Sequence, residues 1–157
     1  MHRYNLFAAD YVYDETDPDG YHSGYDRFSK KLGAAELNLH LYELPEGQSI
    51  CPYHYEYEEE WLVVLEGRPT LRHPEGEDEL APGDAVLFPP GPEGAHKVTN
   101  KNADPARVLM LSSARMPAVA VYPDSDKVGI FTPDRTDDVM VRRESNVDYW
   151  DGEARNP

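Results

Sequence analysis

"CPYHYEYEEEWLVVLEG", residues 51–67, changes character partway along. Its first ten positions hold His54, four carboxylates (Glu56, Glu58, Glu59, Glu60) and three phenols (Tyr53, Tyr55, Tyr57). "WLVVL" follows, an aromatic and β-branched run of the kind found in buried strands. Successive side chains of an extended chain leave opposite faces, so His54 and Glu56 share one direction while Tyr53 and Tyr55 take the other. Glu60 opens the apolar strand. A tight connection between adjacent strands would bring it to the same point as His54 and Glu56.

The same alternation extends outward in both directions. In "ELNLHLYEL", residues 36–44, Leu37, Leu39 and Leu41 lie on one face and Asn38, His40 and Tyr42 on the other, the period of a half-buried strand. "TLRH" and "EDEL" flank a turn at Gly76 and read as a hairpin. Ala85 to Phe88, "AHKVTN", "ARVLMLSS" and "PAVAVY" follow as further short strands, separated by Pro, Gly, Asn and Asp. Such spacing, with no alternation of strands and helices, predicts a sandwich or a closed antiparallel barrel. Residues 1–33 are rich in Tyr and Asp with little periodicity, and are expected to form an arm with a short helical turn in "YDRFSKKLGAAEL". The barrel is expected over 34–122. Residues 123–157 are expected to be an extension packed on it, with at most two strands, "VGIF" and "DVMVRR".

Composition narrows the partners. With 157 residues, one packed core is expected. Thirty acidic against fifteen basic residues give a formal charge of -15, which repels nucleic acid and anionic membranes at long range. The single cysteine, Cys51, excludes an internal disulfide, and the N-terminus has no basic-then-apolar leader pattern; a cytoplasmic protein is expected. No apolar run approaches the roughly 20 residues of a membrane-spanning helix, so no membrane association is expected.

His96 begins a later strand directly after a Pro/Gly loop. Together, His54, Glu56, Glu60 and His96 supply two imidazoles and two carboxylates, a donor set suited to one divalent ion such as Fe, Mn, Ni, Co or Zn, with positions left for water or a ligand. Asn38, His40 and Tyr42, opposite the leucines of their strand, are candidates to line the adjoining cavity. Cys51 alternates with Pro52 and His54 and is expected to point away. His2, His22 and His73 are expected to be exposed. Asp124 and Asp126 read as turn-capping residues after Pro123, and Trp61, Phe88 and Trp150 as core or interface residues.

Two segments in order resemble the cupin superfamily. Gly47, His54, Glu60 and Gly67 fill its first motif; Gly83, Pro89, Gly91, His96 and Asn100 fill its second. The fifteen residues between Gly67 and Gly83 are the short spacing typical of microbial members, and the match covers about residues 34–122. Gly47 lies one residue further from His54 than in the pattern, and the loop from Gly91 to His96 is two residues longer. Glu56 stands where the second histidine of His-x-His is usual. The resemblance implies an all-β, double-stranded β-helix (jelly-roll) barrel, a homodimer, and a metal near one open end. The chain looks most like the single-domain bacterial cupins of uncharacterised function. That family hosts many activities, so the resemblance implies metal-dependent chemistry on a small molecule. Dioxygenase-type oxidation is the first expectation and isomerase, cyclase or lyase chemistry the second; the alternative is a non-catalytic, ligand-binding or regulatory cupin.

Overall fold

The computed structural model describes residues 1–153. The chain order is β1 (Val12–Tyr13), β2 (Gly24–Asp26), α1 (Phe28–Lys31), β3 (Leu37–Leu44), β4 (Tyr55–Glu56), β5 (Glu60–Glu66), β6 (Thr70–His73), β7 (Gly76–Glu79), β8 (Ala85–Phe88), β9 (Lys97–Thr99), β10 (Ala106–Ser113), β11 (Ala118–Tyr122), β12 (Lys127–Phe131) and β13 (Val139–Arg142). The strands form a six-stranded sheet in the order β1-β2-β3-β10-β5-β8, a four-stranded sheet β13-β12-β11-β4 and a three-stranded sheet β7-β6-β9. Named strand pairs are antiparallel, as an all-β barrel of short strands requires.

Alternation within β5 positions the main core. Leu62 and Val64 turn inward and are fully buried, whereas Trp61 stays 40% exposed. They join Leu44, Leu71, Phe88, Val98 and Val108 in one apolar cluster that links the six-stranded and three-stranded sheets. A second, smaller cluster of Tyr53, Tyr55, Ala95 and Val121 lies where β4 meets β11. Two isolated bridges, Ser49 with Thr99 and His54 with His96, stitch the segment before β4 to β9 and its approach.

The N-terminal segment is more integrated than a loose arm. β2 pairs with β3, with Tyr25 opposite Tyr42, and β1 pairs with β2. Asp26, nearly fully buried, holds the segment together: Tyr4 donates its hydroxyl proton to it, the Asp10 amide donates at 3.1 Å, and the Lys31 ammonium lies 2.7 Å away. The short helical turn falls at α1. On the C-terminal side β12 and β13 extend the four-stranded sheet through β11. β13 is exposed along its length, and Trp150, expected in a core or interface, is 69% exposed. The end of the expected extension, residues 154–157, lies outside the described residues. Among the described residues no helix is long and apolar enough to cross a membrane.

Candidate metal centre

The bridge between His54 and His96 creates the site. The His54 amide donates to the His96 carbonyl at 3.1 Å, and the His96 amide returns a bond to the His54 carbonyl at 2.8 Å. Directly opposed residues of an antiparallel pair project their side chains to the same face. The two imidazoles accordingly lie with centroids 4.6 Å apart. Glu60 faces them from the six-stranded sheet, where it pairs with Phe88 on one side and Ser112 on the other. Its Oε2 is 3.9 Å from His54 Nε2 and 3.8 Å from His96 Nε2.

Each ring is fixed in one tautomer. His54 Nδ1 lies 3.0 Å from the Pro52 carbonyl, and His96 Nδ1 lies 2.9 Å from the Gly94 carbonyl. A carbonyl only accepts, so both Nδ1 atoms carry hydrogen and donate, leaving both Nε2 lone pairs aimed toward Glu60. Phe88 stacks on the His96 ring at 3.6 Å and 8°, and Tyr122 stacks on His54 at 5.9 Å and 23°. Backbone carbonyls and aromatic faces thus set ring orientation, the supporting role that a ligating imidazole needs.

These residues fit a metal ion. His96 is 1% exposed, and its Nε2 has no hydrogen-bond partner among the described residues. Leaving such an acceptor orphaned is costly, and a cation satisfies it. Metal bonds of about 2.0–2.2 Å let one ion bridge donor atoms up to about 4.2 Å apart. Glu60 Oε2 meets that condition with both Nε2 atoms, at 3.9 and 3.8 Å, and the donor atoms of His54, Glu60 and His96 all lie within 4.8 Å of one another. Burial, reinforced by His54, pushes His96 down to about 3, so the ring is neutral. Burial and the neighbouring Glu56 charge push Glu60 up to about 7.

Glu56, the fourth ligand expected, is not a member of that three-residue group. It lies on β4 and lines the cavity beside the group, with its carboxyl pushed upward by burial. The cavity measures about 330 Å³. Asn38, His40 and Tyr42 line it, as do Met110 and Ser112, which pair across the sheet with His40 and Asn38. Burial, together with Arg27 and Lys30, lowers His40 to about 4, and its Nε2 also lacks a partner among the described residues. Tyr122, Arg115, Phe131 and Arg135 complete the wall. Sequence reasoning did not assign these four to the site; Ser112 and Met110 carried a usable signal, the period-2 pattern of β10.

Other placements differ from the sequence expectations. Cys51 lines the cavity, with Sγ 3.4 Å from His54 Nδ1, because residues 50–53 bend and break the alternation that would have turned it outward. His73 is half-buried, 3.1 Å from Asp78. Asp124 forms a two-pronged pair with Arg72 at 2.6 and 2.9 Å, which commits its carboxylate. Trp61, half exposed, donates its indole hydrogen to Glu59.

Gly94 links the loop to the centre. A Cβ there would meet the Pro89 carbonyl oxygen at 1.9 Å, so the backbone would have to move, and the Gly94 carbonyl is the group that holds His96. Gly94→Ala is expected to weaken metal affinity at least tenfold, in line with about 10–100-fold losses when groups supporting a metal ligand are disturbed. Isothermal titration with Zn²⁺ checks this; unchanged affinity would contradict the loop's role.

The all-β fold thus brings two buried imidazoles and a carboxylate to one point. Residues 40–112 match the family model described as "Cupin domain". No curated protein matches the chain. Among solved structures, a sugar phosphate isomerase of the cupin superfamily from Silicibacter pomeroyi is similar over 95% of this chain and 98% of its own, with TM-score 0.79 and 22% identity. A polyketide cyclase from Streptomyces resistomycificus is similar over 75% of this chain and 83% of its own, with TM-score 0.62 and 22% identity. At these identities the likeness establishes the fold.

Proposed function

We propose that the chain is a metal-dependent enzyme that moves a proton within a small organic ligand, in an isomerase- or lyase-type reaction. The observation that carries this reading is the pair of tautomer-fixed imidazoles aimed with Glu60 at one point. In it His54, Glu60 and His96 hold one divalent ion. When bound, the ion acts as a Lewis acid that polarises a ligand oxygen. Glu56 stands beside the group with a carboxyl that burial pushes toward working pH, and it takes and returns the proton. Tyr122 and Tyr42 line the same cavity and offer hydroxyl groups to orient the ligand. A lining so rich in proton-carrying groups favours proton relocation over oxidation. The isomerase and cyclase names of the two similar structures agree with that preference.

Elemental analysis and turnover separate the roles. His96→Ala is expected to lose the ion that the parent chain binds at one equivalent. Glu56→Gln is expected to keep that ion while turnover of a hydroxy-carbonyl panel with Fe, Mn, Ni or Zn falls about 10²–10⁴-fold. Loss of metal in Glu56→Gln would make Glu56 a ligand. Ligand-induced thermal shifts without turnover under any metal would overturn the enzymatic reading in favour of a binding protein.

A further inference from the structure

Cavity charge is distributed unevenly. Its depth holds Glu56 and Glu60, whereas its basic side chains are Arg115, just beyond β10, and Arg135, in the loop between β12 and β13. Both lie C-terminal to the residues that match the family model. Both side chains are largely exposed, which puts them at the mouth.

The two guanidiniums keep spare donors beside the cavity. Arg72 grips Asp124 through two nitrogens and Arg107 bonds Glu43 at 2.7 Å and Glu66 at 2.9 Å, while Arg68, held by Glu79 through Nε at 2.7 Å, lies away from the cavity. Arg115 has its nearest carboxylate, Glu58, at 4.0 Å, beyond hydrogen-bond reach. Arg135 places only Nε near Asp138, at 2.8 Å. A guanidinium carries five donors, so each keeps an open edge for a further acceptor.

Arg135 is also held in place by its loop. Asp138 accepts from the Thr132 amide at 2.7 Å, Asp134 accepts from the Thr136 hydroxyl at 2.9 Å, and the Arg135 amide donates to the Thr132 carbonyl at 3.2 Å. Arg135 itself has φ 65, in the left-handed region that a residue with a Cβ rarely adopts. Its guanidinium lies 5.1 Å from the Phe131 ring, another lining residue. A loop that fixes one arginine in a strained conformation beside a cavity has the character of a binding device.

We propose that Arg115 and Arg135 form an anion-recognition pair at the cavity mouth, and that the ligand is a small hydroxylated acid, a carboxylate or a phosphate monoester. This deepens the proposed function by naming its substrate class, and it rests on that reading in taking the cavity as the site. Charges beyond about 8 Å are largely screened at physiological salt, so an anion at the mouth meets Arg115 and Arg135 with their neighbours Glu58 and Asp138, and not the net charge of -15. A neutral or cationic ligand gains nothing from them. Asn38, Tyr42, Ser112 and Tyr122, deeper on the wall, supply the partners that hydroxyl groups require.

The test is calorimetric titration of metal-free and Zn²⁺-loaded protein with matched probes: ribose 5-phosphate, ribose and ribonate. The acids are expected to bind and neutral ribose to bind at least about tenfold more weakly. Arg115→Gln and Arg135→Gln are each expected to weaken the acids about tenfold, and Arg135→Lys to recover part of that loss. Ribose 5-phosphate against ribonate tells a phosphate from a carboxylate. Zn²⁺ stoichiometry and unfolding temperature are expected to be unchanged in both Gln variants, so loss of acid binding with intact metal binding belongs to the arginines alone. Failure of metal binding in the parent chain, with acid binding retained, would count against the proposed metal chemistry and leave the pair standing. Equal binding of acid and neutral probes, no binding of either acid, or acid affinity unmoved in the double Gln variant overturns the pair.

Discussion

Glu60→Gln is expected to abolish divalent-ion binding and, in metal-free protein at pH 8, to raise the unfolding temperature above that of the parent chain. Glu60 titrates at about 7 in the fold against 4.5 for an unperturbed side chain, because burial and the charge of Glu56 disfavour its ionised form. Between those values the folded chain binds a proton that the unfolded chain has released, so stability falls as pH rises from 4.5 to 7 and stays reduced above it. Glutamine removes that penalty, on the order of 3 kcal/mol for such a shift. His96 works with the opposite sign: at about 3 in the fold against 6.5 unperturbed, it lets the unfolded chain bind the extra proton, so its contribution rises with pH through that window. Both chains carry His96, so the difference between them isolates Glu60. Thermal melts of apo parent and variant from pH 4 to 8 are expected to show a difference that grows from pH 4.5 to 7. A variant less stable than the parent at pH 8, or one that still binds Zn²⁺, would refute this account. Zn²⁺ affinity of the parent is expected to fall about tenfold per pH unit below 7, as a proton competes for the Glu60 carboxylate.

Leu62→Ala is expected to lower stability, in contrast to Glu60→Gln. Leu62 is fully buried in the principal cluster, two residues along the same face from Glu60. Truncating a buried leucine costs about 2–5 kcal/mol, because the lost contacts are joined by a cavity that neighbours only partly refill. For a chain of this size that lowers the melting temperature by roughly 5–15 °C. Leu37, on β3 across β10 from β5, is 52% exposed, and Leu37→Ala is expected to stay within about 0.5 kcal/mol of the parent. Comparable losses in the two variants would show that the core does not lie where β5 places it.

The strands of the barrel were legible in the sequence because strand direction is local. Leu37, Leu39 and Leu41 alternate with Asn38, His40 and Tyr42, and Pro, Gly and Asn mark the turns, so neither face nor boundary depended on distant residues. For the same reason His54, Glu60 and His96 stood out: each sits at a strand entry beside punctuating residues, in two segments whose order is itself a signature.

Partnership between segments was beyond that reach. His54 faces His96 through two backbone hydrogen bonds between residues far apart in the chain, and no local pattern specifies such a bridge. A bend at residues 50–53 turned Cys51 into the cavity, where strict alternation would have turned it out. Glu56 leaves its strand beside the three-residue group without joining it, a displacement that sequence spacing does not encode. The C-terminal segment brought Phe131 and Arg135 to the mouth by pairing β12 with β11. Sequence by itself determined the strands and picked out His54, Glu60 and His96 among its candidate donors, because side-chain period and turn chemistry act over a few positions. Tertiary structure alone decided which donors meet and which charges guard the entrance, because cross-strand register is set by hydrogen bonds and burial between segments that the chain does not place side by side.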